Sequence, residues 1–502
     1  MGWRQRILIG VSVAAAGISI AAATSPRLPA AAAAAPLAKS VATATSATLT
    51  SSSASSSYDS RVTFTAKVSA PTGTPAGSVT FTDTSSGSIL DTAGLANGTA
   101  SFTTAALASG SRSIVAHYDG SSTFSPSSSA ALDIPVAAAG SDAVAYQVDP
   151  GHSGRQARGT LNASSLTKKW TVTLGTASSS QPTAGNVSYP VIARGRVFVT
   201  VENSQATGTD LDALDASTGA IDWSVGLAGP YGFSALAYDG RDIFALNYNG
   251  LLTAFAASTG HELWTVQLAQ STAPPTAYDG VVYVSVNQEL SAVSEADGVI
   301  RWGAGVLNGD GSSPAVDDTG AYVSYVCQQD YRFGLGGQVA WHYSTSCAGG
   351  GGSTAVLHGS SVYARGETGS DTPIILSKAS GTPGGTFTSA TAPAFDSTNM
   401  YTLQNGNLVA AAHSGSPNRW TFSNGTLVTA PVVDGGVVYA GSSDGTVYGV
   451  SASSGAQVWA GTAGSVILGP HEGSLSAVVI GLAIGGGLLV VPAGPQLTAF
   501  GG

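Results

Sequence analysis

Val62, Phe64, Ala66 and Val68 alternate with polar residues, and the alternation returns at Val79 and Phe81 and again at Ile114, Ala116 and Tyr118. A period of two predicts half-buried strands. Turn-forming stretches at 71–75, at Asn97 and Gly98 and at Asp119 and Gly120 separate these strands. Further along, alternation gives way to recurrence. The stretch from Ala213 to Trp223 returns as Ala254 to Trp264, Ala292 to Trp302 and Gly449 to Trp459, each time with Gly four residues before Trp. Looser copies keep Gly337 with Trp341, and Gly415 with Trp420 at a spacing one residue wider. Recurrence at roughly 40 residues marks an array built from one repeated supersecondary unit.

Each repeat follows one plan. A small or proline-containing strand (Pro190, Pro275, Pro314, Pro393, Pro431) runs into a turn such as Asp239-Gly240, Asp279-Gly280 or Asp434-Gly435. An aromatic-bearing strand follows, with Phe198, Phe244, Tyr283, Tyr322, Tyr363, Tyr401 or Tyr439. An Ala-rich strand, a Thr/Ser-Gly turn and the Trp strand complete the unit. Four antiparallel strands per repeat, arranged radially, predict a β-propeller. The strand around Trp170 lacks earlier strands of its own, and residues 485–500 supply them. The expected architecture is therefore all-β: an eight-bladed propeller over 166–502, whose last blade is closed by both ends of that segment. Such closure removes free sheet edges. Residues 45–137, with several short strands, predict a small β-sandwich, and 138–165 are expected to be a linker.

Outside these elements, residues 1–23 read as an export signal, with Arg4 and Arg6 before an uncharged apolar run ending at Ala21 to Ala23. Residues 24–44 are rich in Ala, Pro and Ser and are expected to be a disordered tether. The apolar stretch from Ala477 to Val491 is broken by glycines and aligns with the first strands of the split repeat, so it reads as buried strands. No membrane span is expected in the mature chain. Only 10 % of the 502 residues are charged, against about 25 % in average proteins. The net charge of −10 is thinly spread, which argues against a nucleic-acid partner, since phosphate binding needs clustered Lys and Arg. The two cysteines, Cys327 and Cys347, are expected to pair in an exported chain.

Two resemblances enter here. Arg61 to Val68, Gly77 to Phe81 and His117 to Gly120 resemble the Ig-like repeat of bacterial cell-surface proteins, which implies a spacer or adhesive unit. The motif Ala-x-Asp-x-x-Thr-Gly-x-x-x-Trp resembles the repeat of pyrroloquinoline quinone (PQQ)-like, or quinoprotein-like, propellers. That family includes quinone-dependent alcohol dehydrogenases and a lipoprotein of outer-membrane protein assembly. The resemblance implies that Trp170, Trp223, Trp264, Trp302, Trp341, Trp420 and Trp459 dock on neighbouring blades, with Phe387 substituting near 354–390. In the dehydrogenases it further implies a central quinone beside calcium and an adjacent Cys pair; Cys327 and Cys347 are far apart. A quinone is thus suggested by resemblance alone, and no cofactor is predicted.

The remaining chemistry is sparse. The Asp-Gly pairs suit turns, the His residues never cluster, and Gly349 to Gly352 has no following Lys or helix to make a phosphate loop. Neither catalytic nor metal-ligating residues are identified. Cys327 and Cys347 are expected on one rim, pinning a long loop at 328–335. That rim, centred on Asp330, Tyr331 and Arg332 and joined by loops at 202–210 and 366–372, is the expected interaction surface. The resulting reading is a monomeric, non-catalytic binding or scaffold protein, secreted or held at a bacterial cell surface, with a protein or glycan ligand. A quinone-dependent dehydrogenase and a carbohydrate-binding adhesin are the alternatives.

Overall fold

The computed structural model describes residues 42–57, 62–104, 107, 110–137, 142–175, 186–204, 208–227, 229, 234–307, 309, 311–345, 351–366, 372–472 and 477–502. The expected export signal and most of the expected tether lie outside these residues. All described regular elements are strands, with no α-helix among them, and none of the described residues forms a helix long and apolar enough to cross a membrane.

The first module has two sheets. Ser46–Ser51, Val62–Ser69 and Thr99–Thr104 form one; Ser56–Ser57, Leu132–Ala137, Gly110–Tyr118, Ser78–Asp83 and Ser88–Gly94 form the other, with Ser127–Ser128 added beside Gly110–Tyr118. The alternation seen in the sequence appears directly as burial: Val62, Phe64, Ala66 and Val68 point inward, where they meet Phe81, Ile114, Ala116 and Ile134 in one core. The module begins before Ser46, because Thr43 N donates to Thr123 O at 2.8 Å. The expected tether therefore ends a few residues early.

The repeats form four-stranded antiparallel meanders. Sheets 1 to 7 span 191–227, 234–267, 276–305, 315–343, 356–386, 394–422 and 432–462, and sheet 4 also carries the short strand Gly352–Ser353. Sheet 8 joins Ala483–Gly485, Leu488–Ala493 and Gln496–Gly501 to Thr167–Thr173, which pairs antiparallel with Gln496–Gly501. First strands of neighbouring sheets lie against one another from sheet 1 to sheet 5, from sheet 6 through 7 to 8, and from 8 back to 1. This ring puts the first strands innermost. Second strands such as Val281–Val286 and Gly320–Tyr325 are buried along their whole length, as strands covered on both faces must be. Fourth strands such as Glu262–Gln267 alternate exposed and half-buried positions and form the outer wall.

One ring and one glycine lock most neighbouring sheets. Trp264 Nε1 donates to Glu295 O at 2.7 Å, and its ring covers Gly298, where an added Cβ would meet the ring at 2.7 Å. Trp170 sits likewise on Gly219, Trp223 on Gly260, Trp302 on Gly337, Trp341 on Gly381 and Trp420 on Gly455. Trp459 donates to Leu166 O at 3.1 Å, between sheets 7 and 8. A side chain at those glycines would displace the ring, so Gly four residues before Trp serves the Trp of the preceding sheet.

Sheet 5 departs from this plan. Gly385 pairs with Ile375 where other sheets place Trp, as Trp223 pairs with Ala213. The expected substitute, Phe387, lies two residues beyond that position and packs edge-on to Tyr363 at 5.6 Å. Gly415 of sheet 6 consequently faces the Thr386 carbonyl instead of a ring.

Candidate functional site

The stretch expected to be a linker runs through the centre of the ring. Ala143 and Ile192 exchange backbone hydrogen bonds at 2.7 and 2.8 Å, and Tyr238 N donates to Val144 O at 2.9 Å. Val316, Leu357, Phe395 and Val433 donate to the carbonyls of Pro150, Gly151, Ser153 and Gly154 at 2.7–3.0 Å. These contacts reach the first strands of sheets 1, 2, 4, 5, 6 and 7. An innermost strand has one free backbone edge facing the axis, and buried backbone groups require partners. Residues 143–156 supply them and so are not a linker, and Ala143, Ala145, Tyr146 and Val148 are buried there. The crossing is tight. Gln147, Val148 and His152 adopt φ of 57°, 78° and 57°, unusual for residues with side chains and more so for β-branched Val. Gly154 approaches the Ala394 side chain so closely that a Cβ would lie 2.6 Å from it.

Several polar side chains near the axis find partners within the chain. His152 is fully buried; its Nδ1 lies 3.0 Å from Ala355 O and its Nε2 3.1 Å from Thr276 Oγ1. A carbonyl only accepts, so Nδ1 carries the proton and Nε2 accepts from the Thr276 hydroxyl. Burial pushes the His152 pKa down to about 4. Tyr146 donates to Glu472 Oε1 at 3.1 Å, while Arg365 holds Glu472 Oε2 at 2.6 Å and reaches Ala390 O at 3.3 Å. Burial, followed by the Glu472 charge, raises the Tyr146 pKa well above that of free tyrosine. Imidazole and carboxylate thus spend their hydrogen bonds on this chain. The sequence carried no signal for this cluster, because Arg365 and Glu472 come from segments far from Tyr146 and His152.

A central quinone does not fit this arrangement. The axis holds residues 143–156, and among the described residues no group of three or more His, Cys, Asp or Glu is arranged to hold a metal ion.

The expected rim is also rearranged. Asp330, Tyr331 and Arg332 belong to strand Gln329–Phe333, paired on both sides, and a short turn at 326–328 replaces the expected long loop. Asp330 is 1 % and Tyr331 5 % exposed. Tyr331 stacks on His342 at 4.0 Å, and Arg332 donates to Thr319 O at 2.7 Å and to Lys378 O at 3.2 Å. These contacts hold sheet 4 together and join it to sheet 5. The run from 329 to 333 also reads as strand-like alternation, which the expectation of a loop overlooked. Of the accompanying loops, 202–210 is mostly strand, since Arg196–Ser204 and Gly208–Asp215 cover most of it, while most of 366–372 lies outside the described residues. Cys327 is buried in the turn; Cys347 lies outside the described residues.

Comparison with known proteins agrees with this architecture. A family model of the bacterial Ig-like domain (group 3) matches residues 49–137. The model described as outer membrane protein assembly factor BamB matches 160–324, 207–370 and 333–500. No protein of curated function matches the chain. Among solved structures, BamB from Moraxella catarrhalis is 16 % identical with a TM-score of 0.51, covering 67 % of this chain and 98 % of its own. Quinohemoprotein alcohol dehydrogenase from Comamonas testosteroni is 13 % identical with a TM-score of 0.55, covering 72 % and 80 %. The computationally designed Ika8 protein is 14 % identical with a TM-score of 0.51, covering 66 % and 98 %. At such identities the likeness concerns the β-propeller fold alone. With its matches spanning residues 160–500, more than half of the chain, this protein belongs to the PQQ-repeat propeller family described as outer membrane protein assembly factor BamB, preceded by a bacterial Ig-like domain.

Proposed function

We propose that this chain is an exported, non-catalytic binding or scaffold protein, built as an eight-bladed propeller that offers its outer faces to a protein partner. The observation that carries this reading is the axial segment: residues 143–156 take the central position that a catalytic propeller of this family needs for its cofactor. The BamB match supports a protein partner by analogy. The apolar N-terminal run supports export, and the Ig-like module supports display at a cell surface, with the two sheets at 46–137 forming its sandwich. A disulfide between Cys327 and Cys347 belongs to the same reading. Thr345, two residues from Cys347, donates through N and Oγ1 to Cys327 O at 3.2 and 2.7 Å.

The purified full chain with added quinone and calcium tests the central claim. A ligand of the native state must raise the melting temperature, so no shift and no dye-linked alcohol oxidation are expected. A saturable shift accompanied by oxidation would replace the scaffold reading with the enzyme reading. Cross-linking in intact cell envelopes should join outer-face residues such as Arg241 to a protein. A non-reducing peptide map should recover Cys327 and Cys347 in one linked peptide.

A further inference from the structure

The Ig-like module meets sheets 2 and 3 across a cavity of about 350 Å³, lined among others by Asp83, Arg112, Asp239, Glu295, Ile89 and Leu263. The contact is close: at the Asp279-Gly280 turn, a Cβ on Gly280 would lie 2.4 Å from Ser86 Cβ. Arg112, 1 % exposed, reaches from the module to Asp279 at 2.6 Å and to Asp83 at 3.5 Å. Its guanidinium holds both of these carboxylates. Two others remain. Asp239 is 8 % exposed and its Oδ2 has no hydrogen-bond partner; Glu295 Oε1 has none either. Buried carboxylate oxygens without partners are costly, and here two of them line one cavity. At the same cavity Ile89 and Leu263 are 69 % and 46 % exposed.

We propose that this cavity binds a primary alkylammonium, with the charged head between Asp239 and Glu295 and the aliphatic stem along Ile89 and Leu263. An ammonium donates several charge-assisted hydrogen bonds from one compact group, which matches two carboxylates that each keep one buried oxygen without a hydrogen-bond partner. The apolar residues favour an ion on a hydrocarbon stem over a hydrated metal ion. The described carboxylates also include no trio arranged for a metal. Burial raises the pKa of Asp239 to about 6, with Arg112 opposing and Asp279 adding; burial, followed by the Asp239 charge, raises that of Glu295 well above the usual carboxylate range, with Arg112 opposing. Asp83, Asp242 and Arg241 also face the cavity. Binding should therefore strengthen as pH rises through about 6, when Asp239 gives up its proton. A lysine side chain of a partner and a free polyamine share this chemistry. The site stands independently of the scaffold reading.

Calorimetric titration of the full chain with hexane-1,6-diamine, spermidine and Nα-acetyl-lysine amide tests the site. Saturable binding of any of them is expected; the tightest binder identifies a polyamine or a peptide as the source. Asp239→Asn and Glu295→Gln should each weaken binding about tenfold or more, the loss of one charge-assisted hydrogen bond, while melting as wild type. Leu263→Ser should weaken spermidine binding less. The proposal is overturned if wild-type protein binds none of these amines, if both amide variants bind as wild type, or if calcium chloride alone saturates the site.

Discussion

The seam between sheets 2 and 3 and the seam between sheets 5 and 6 join neighbouring repeats by different means. At the first, one indole lies on Gly298 and donates to one carbonyl, Glu295 O. At the second, Gly385 stands in the Trp register and several weaker contacts replace the lock. His358 stacks on Phe395 at 4.6 Å and meets His413 at 4.4 Å; Tyr363 donates to His413 O at 2.7 Å; Phe395 N donates to Ser153 O of the axial segment at 3.0 Å. A concentrated lock makes a seam vulnerable at one residue. A distributed seam tolerates single losses, but His358 makes it sensitive to pH.

The largest effect should come from breaking two Trp seams together. Removing 166–173 deletes Trp170, which covers Gly219, and the Leu166 carbonyl that receives Trp459. It also leaves Gln496–Gly501 as an unpaired edge, so the protein should aggregate on size-exclusion chromatography; a stable monomer would refute closure by this strand. Next, Trp264→Ala should lower unfolding free energy by about 3–5 kcal/mol in denaturant titration. Gly298→Ala should cost about 1–3 kcal/mol by crowding the same ring, at a position whose φ is 71°.

Smaller effects are expected at the distributed seam. Tyr363→Phe removes one hydrogen bond and should cost about 1 kcal/mol; a loss as large as that of Trp264→Ala would show that this seam is concentrated too. The smallest effect is a pH slope. Burial, followed by the charges of His413 and Arg155, lowers the His358 pKa from 6.5 to about 4, with Asp396 acting the other way. Between those values the unfolded chain binds more protons, so this contribution is complete above 6.5 and lost as pH falls through about 4. His358→Phe should flatten the fall in melting temperature on acidification, the remaining slope including that of buried His152.

The sequence by itself determined the repeat and the strand order within it. Period-two alternation and the Thr/Ser-Gly-to-Trp spacing depend on local geometry: side chains alternate across a strand, and a turn followed by an edge strand fixes where Trp falls. The pairing of Thr167–Thr173 with Gln496–Gly501 was legible because a lone fourth strand and three strands without a fourth complete one unit. Tertiary structure decided what fills the centre. Residues 143–156 look like a linker because their partners are backbone edges of six different sheets, a property no local pattern records. The axial cluster of Tyr146, His152, Arg365 and Glu472, and the carboxylates Asp239 and Glu295 facing the Ig-like module, arise the same way. Turns and strands are set by neighbours in sequence, whereas the charge balance of a buried site is set by whichever distant groups the fold brings together.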